Sequence, residues 1–156
     1  NFGLNFNADW KGFDFNVFFQ GVSGADIFDA TWRQDIASGN YPTWVLQRWT
    51  GEGTSNKLPL LKLGDSKNWV CSDLYVQDGS YLRLKNIALG YTLPRNLTKK
   101  INIERFRVYV RAENLFTWTK YWGFDPEIGT SSTSMGVDYG VYPQARIFTV
   151  GFNLSL

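Results

Sequence analysis

Histidine is absent from the 156 residues and cysteine occurs once, as Cys71. Without an imidazole there is no Ser-His-Asp or Cys-His nucleophile scheme, no HExxH helix and no zinc constellation. A single thiol cannot form an internal disulfide, and Cys71 reads as a lone thiol in a loop. Charge is scarce as well: 19% of residues are charged, the net charge is +2 and no basic block stands out, which argues against a nucleic-acid partner. Long hydrophobic runs are missing. No apolar stretch approaches the roughly 18 residues of a spanning helix, so membrane helices are excluded while barrel strands are not. No signal-peptide pattern opens the chain either; Asn1 already lies in strand-like sequence, and the chain reads as a piece of something longer.

Aromatic residues are plentiful. Seven Trp, eight Tyr and twelve Phe make up 17% of the chain, yet its mean hydropathy is only −0.26. Rings combined with abundant Asn, Thr, Ser and Gly are what alternating barrel strands and polar loops produce. The alternation is explicit over 2–10, where Phe2, Leu4, Phe6, Ala8 and Trp10 fall on one side and Asn5, Asn7 and Asp9 on the other. Lys11-Gly12 then reads as a two-residue hairpin turn. Over 13–21 the stripe is Phe13, Phe15, Val17 and Phe19, with Asp14, Asn16 and Gln20 opposed. Further strands are predicted at about 80–93 (Ile87, Leu89, Tyr91, Leu93), about 105–117 (Phe106, Val108, Val110, Ala112) and about 145–156 (Phe148, Val150, Phe152, Leu154, Leu156).

Charge placement bears on what that stripe touches. A Lys or Arg on a lipid face near the midplane costs about 2–4 kcal/mol, but little on a watery lumen face. Asp9, Asp14, Arg107, Arg111 and Glu113 all fall on the polar side. Arg83, Lys85 and Arg146 break the pattern only near the loops, where they are expected to meet lipid headgroups. The links alternate in length: 11–12 and 94–104 are short, 22–79 and 118–144 long. Outer-membrane barrels pair short periplasmic turns with long external loops in this way, whereas compact soluble domains seldom carry such loops. Short turns on the inside make the strands run down, up, down, up, down, ending in the periplasm. Trp10, Phe13, Tyr91 and Phe106 then form an aromatic girdle at the periplasmic interface. Five strands cannot close a barrel, so others must pair with them. The alternatives are a soluble aromatic-rich β-sandwich that binds carbohydrate, its apolar face covered by a partner sheet, and a passive porin-like barrel.

The stretch "DGSYLRLKNIALGYTLP", Asp78 to Pro94, resembles the C-terminal end of the SusC/RagA family of TonB-dependent outer-membrane transporters. Matching pieces follow the same order: "WKGFDF" (10–15), "RWTGEGTSNKLP" (48–59), "VYVRAENLFTWTKYWGFDPE" (108–127) and "YPQARIFTVGFNLSL" (142–156). The resemblance covers nearly the whole chain. It implies an antiparallel transmembrane barrel of about 22 strands, of which residues 1–156 supply the last five with two extracellular loops, the plug and earlier strands lying outside it. It also implies TonB-energised import of glycan or peptide fragments beneath a SusD-like surface lipoprotein, in the outer membrane of a Gram-negative bacterium of Bacteroidetes type. No catalysis, cofactor or metal is implied. The implied partners are the rest of the barrel and plug, the lipoprotein lid, TonB, the barrel-assembly machinery and outer-membrane lipid. The implied lipid-facing set is Phe13, Phe15, Val17, Phe19, Ile87, Leu89, Val108, Val110, Phe148, Val150 and Phe152. Thr149, Gly151, Leu154 and Leu156 match the spacing of the family's C-terminal assembly signal. That signal usually ends in an aromatic residue, and Leu156 departs from it while keeping an apolar side chain toward lipid.

The loops hold the remaining candidates. Ile27, Phe28, Trp32 and Ile36 in "ADIFDATWRQDIASG" are spaced for a short amphipathic helix ended by Gly39. Trp44 and Trp122 offer flat rings on which a sugar can stack, the alternative being that they pack loop on loop. Asp125 and Glu127 have the spacing of a paired-carboxylate site. "DPE" matches a recurring loop of a non-enzymatic family, however, and Pro126 suits a turn that both carboxylates stabilise. They stand, with the two Trp, as candidate contacts to substrate or lid. Gly-rich "TGEGTSNK" (50–57) fails the P-loop spacing and precedes no helix pattern, so it reads as loop.

Overall fold

A computed structural model of the chain describes residues 1–31, 41, 43–62, 70, 72–128 and 135–156. Its strands, in chain order, are β1 (Phe2–Trp10), β2 (Phe13–Val22), β3 (Asp26–Asp29), β4 (Arg48–Trp49), β5 (Leu58–Leu60), β6 (Val76–Asp78), β7 (Tyr81–Thr92), β8 (Arg105–Thr119), β9 (Val137–Asp138) and β10 (Ile147–Ser155). A single α-helical turn, α1 (Arg95–Thr98), sits in the link between β7 and β8. The five long strands form one antiparallel sheet in the order β1-β2-β7-β8-β10. All five predicted strands are present, each within two residues of its expected ends.

The β1–β2 connection is a two-residue hairpin with φ of 48° at Lys11 and 89° at Gly12. Positive φ at both central residues is the turn whose twist matches that of the flanking strands, and Gly12 adopts it without a Cβ penalty. The turn fixes the register, and the register carries side-chain rows across the sheet. One row runs Trp10, Phe13, Tyr91, Val108, Phe152; the next runs Ala8, Phe15, Leu89, Val110, Val150; a third runs Phe6, Val17, Ile87, Ala112, Phe148. Leu89, Val110 and Val150 are 45%, 49% and 78% exposed. No described element lies over this face as a partner sheet would in a sandwich. Val17 is on the face but buried, flanked in register by Phe6 and Ile87 and along its strand by Phe15 and Phe19, all bulkier than itself. Phe13 and Tyr91 stack with ring centroids 4.5 Å apart, and Phe106 and Phe152 lie 6.2 Å apart. Of the expected aromatic set, Phe13 and Tyr91 thus meet each other at the short-turn end, Phe106 meets Phe152, and the Trp10 ring lies under the Lys11 ammonium.

The opposite face is polar and cross-linked. Asn16 donates to Asn5 and Asn7, Asn86 donates to Asn16, Arg111 donates to Asn86, and Arg111 pairs with Glu113 at 2.9 Å, a chain of contacts that crosses four strands. Nearer the short turns, Arg107 Nε donates to Asp14 at 2.7 Å. This ion pair passes over Gly90, where a Cβ would stand 2.6 Å from the Arg107 Nε. The guanidinium also lies 4.9 Å over the Tyr109 ring, which in turn covers Gly151.

A double irregularity corrects the expectation for Arg83 and Lys85. Phe18 pairs with Asn86 but Phe19 pairs with Leu84, so β7 carries one extra residue, Lys85; across from it, Asn86 pairs with Glu113 and Leu84 with Phe116, so β8 carries one more again, with Asn114 at φ 52°. A one-residue bulge inverts the side-chain alternation beyond it. Arg83 therefore shares the polar face with Gln20 and Thr117, while Leu84 joins Phe19 and Phe116 on the apolar face. Neither cation reaches lipid headgroups by way of the apolar side. Arg146 lies just before β10, where it lines a polar recess with Arg83.

The helix expected over 25–39 is also corrected. Asp26–Asp29 is a strand, with Ile27 and Asp29 buried and Phe28 between them half-buried, a period of two. Pairing with β6 on one side and β9 on the other decides its conformation, and the remainder of that stretch, from 32, lies outside the described residues. Trp32, Trp69 and Cys71 lie outside them too.

Candidate functional site

Both long connections leave the same end of the large sheet, away from Lys11-Gly12, and are tied to it and to each other. The tie to the sheet is ionic. Arg83, 2% exposed, donates through Nε to Thr117 at 2.8 Å and through its terminal nitrogens to Asp125 and Glu127, while Lys85 reaches Glu127 at 2.8 Å. Asp125 also accepts from the backbone N–H of Glu127 and Gln144. The first of these bonds closes a turn around Pro126 of the kind predicted from "DPE". Burying a guanidinium is costly unless it is paired and hydrogen-bonded, and here two carboxylates and the Thr117 hydroxyl each take a bond from one of its three nitrogens. Asp125 is itself buried at 5% exposure. Paired with Arg83, it is a strut between loop and sheet, which corrects its place among contacts to a substrate or lid; Glu127 keeps a quarter of its surface and holds both Arg83 and Lys85.

The tie between the loops is a small sheet in the order β6-β3-β9, with β3 antiparallel to β6 and parallel to β9. Asp29 and Asp138 pair in register and both are buried. Each carboxylate is satisfied by donors: Asp29 by the N–H and hydroxyl of Thr31 and by Gln77 Nε2, Asp138 by the N–H of Gly140 and Val141 and by the Tyr121 hydroxyl at 2.6 Å. Burial, with the carboxylate beside it, pushes the Tyr121 phenol well above its ordinary range.

Beside this platform lies an open cavity of about 360 Å³ whose walls include Trp44, Trp122, Leu58, Val76, Lys57 and Lys120. Trp44 sits on a short 3-10 turn, Thr43–Gln47, anchored by buried Val45. Trp122 is 72% exposed, but its backbone N–H donates to the Gln77 side chain, whose other end is held by Asp29. The two rings chosen from the sequence are thus brought together from different loops. The two lysines had no signal in the sequence, because nothing local distinguishes them from other loop cations. Asp78, also on the wall, accepts from the Ser80 N–H at 2.9 Å, and hydrogen bonding from Ser80 holds its carboxyl below the usual range.

Thr149 and Gly151 point to the polar face opposite Arg111 and Tyr109, Leu154 to the apolar face opposite Phe106, and Leu156 lies exposed just past β10. Gly151 has a local steric reason, since a Cβ there would stand 2.6 Å from the Tyr109 ring.

No family model matches the chain. It is 36% identical to TonB-dependent receptor P3 of Formosa agariphila over 99% of the chain and 16% of that receptor. Over 54% of the chain and 8% of the relative it is 38% identical to TonB-dependent receptor SusC of Bacteroides thetaiotaomicron. Among solved structures, the RagAB peptide importer in the "open-open" state superposes with a TM-score of 0.78 and 32% identity, covering 99% of the chain and 17% of its counterpart. The chain spans about one-sixth of the length of the first curated relatives it matches.

Proposed function

The chain is a barrel segment of a SusC/RagA-type TonB-dependent transporter, and on that premise we propose that residues 1–156 are the last five strands of the barrel in a protein that imports glycan or peptide fragments across an outer membrane with TonB-derived energy. The observation that carries this reading is the division of one sheet into two solvents' worth of surface. One face is a continuous, uncovered band of rings and aliphatics, and the other is a ladder of amides and ion pairs suited to a wet lumen. Phe13, Phe15, Phe19, Ile87, Leu89, Val108, Val110, Phe148, Val150 and Phe152 face lipid in this reading, with Val17 filling the spaces among them. The short turns lie in the periplasm, and the two joined loops are extracellular.

The edges β1 and β10 pair with the rest of the barrel, since an open edge in hydrocarbon leaves backbone groups without partners. A SusD-like lipoprotein covers the loop end, the barrel-assembly machinery reads Thr149, Gly151, Leu154 and Leu156, and TonB engages a part of the protein outside this chain. The role is transport, not catalysis. In cells carrying the full-length protein, uptake of labelled oligosaccharide or oligopeptide pools is expected to stop when TonB is deleted, and the protein is expected in the outer-membrane fraction, soluble only in detergent. Undiminished uptake without TonB would fit a passive pore, and recovery in the detergent-free soluble fraction would contradict the barrel.

A further inference from the structure

The cavity beside the loop platform combines features that no other described recess shares. Two indoles from different loops supply flat apolar walls, two lysines supply positive charge, and one carboxylate supplies an acceptor. Neither Lys57 nor Lys120 has an ion pair among the described residues. Two ammonium groups against the Asp78 carboxylate leave one positive charge in excess. Two points of the wall are also anchored before any ligand arrives: Gln77 holds the backbone N–H from which the Trp122 indole projects, and Ser80 holds the Asp78 carboxylate. A preorganised site loses less entropy on binding than one that must form around its ligand.

Resting on the import function proposed above, we infer that this cavity is a subsite for one ring of an anionic sugar. The C–H face of a pyranose is apolar and flat enough to lie on an indole, while its hydroxyls need acceptors and donors at the rim, which Asp78 and Gln47 provide. A carboxylate or sulfate on the ring meets Lys57 and Lys120. The volume of about 360 Å³ suits a single saccharide unit with its substituents, not an extended chain. Carboxylated and sulfated sugars share this chemistry, and the test separates them.

The test uses the full-length transporter in detergent, titrated calorimetrically with trigalacturonate, a carrageenan tetrasaccharide, neutral maltotriose and an acidic oligopeptide pool. The subsite predicts that at least one anionic saccharide binds, that Trp122→Ala weakens it about tenfold, and that Lys57→Gln with Lys120→Gln weakens it about fivefold at low salt, a difference that shrinks as salt is added. Trp122 is largely exposed, so its replacement leaves the fold intact, and an unchanged unfolding midpoint verifies that. Three results overturn the inference: anionic saccharide binding indifferent to Trp122, equal binding of maltotriose with no effect of the lysines, or Trp122-dependent binding of the peptides alone. Absence of binding by both anionic saccharides overturns it as well. Each of these leaves TonB-dependent uptake standing, whereas loss of the import function appears only in the uptake assay.

Discussion

Arg83 is a cation held almost wholly out of water, and its three bonding partners come from a strand and from a loop more than forty positions away. Arg83→Met keeps the length of the stem but strands the buried Asp125 without its cation, at a cost of about 3 kcal/mol or more. The expected outcome is release of the 120–146 connection from the sheet, read as faster limited proteolysis within it while the strands stay protected. Tyr121 makes a second such lock. Tyr121→Phe leaves the buried Asp138 oxygen without its hydroxyl donor and costs about 1–3 kcal/mol. The phenol's pKa is raised in the folded state, so its contribution is present in full below about pH 10, where the free phenol titrates, and is lost as pH rises through the folded value. Loop stability of the native protein should therefore fall in strong alkali, and that dependence should vanish in Tyr121→Phe, as followed by hydrogen exchange. Of these residues, Asp125 and Glu127 were legible in the sequence as a pair around a turn at Pro126, but not as the partners of Arg83. A carboxylate pair looks the same whether it faces a substrate or a buried arginine, and the arginine's direction depends on a bulge.

At the scale of elements, the strands were legible because a period of two persists over seven residues or more in each. The bulge was not: Lys85 becomes supernumerary only when β7 is laid against β2, and Asn114 only when β8 is laid against β7. The same limit hid β3. Its two partners arrive from distant segments, and over four residues the spacing of Ile27 and Phe28 fits a helix as well as a strand. Face assignment gives a sharp expectation on β10. Val150→Lys places an ammonium in the middle of the apolar rows and costs about 2–4 kcal/mol in a bilayer, whereas Thr149→Lys, one residue away beside Arg111, costs far less. Urea unfolding of the full-length protein in lipid vesicles measures both, and equal costs would mean that the two faces of β10 see the same solvent.

For the molecule as a whole, the sheet's two faces and two ends divide the labour. One face is apolar and uncovered by any described element and the other carries the Asn–Arg ladder, the hairpin end is tight, and the loop end carries a platform locked by Arg83 and by the β6-β3-β9 sheet. The pairing of the two loops could not be foreseen, because loop length and ring content say nothing about which strands will meet. In the proposed orientation hydrocarbon touches the rows through Phe15, Leu89, Val110 and Val150. The most direct measurement of that contact places a spin label at each position from 108 to 111 and from 148 to 151 in turn, in the full-length protein with Cys71 replaced, and compares collisions with oxygen in lipid against a water-soluble nickel chelate. The account predicts strict alternation, with even positions open to oxygen and closed to the chelate and odd positions the reverse; accessibility without alternation, or even positions shielded from both reagents in a dry interior, would contradict it.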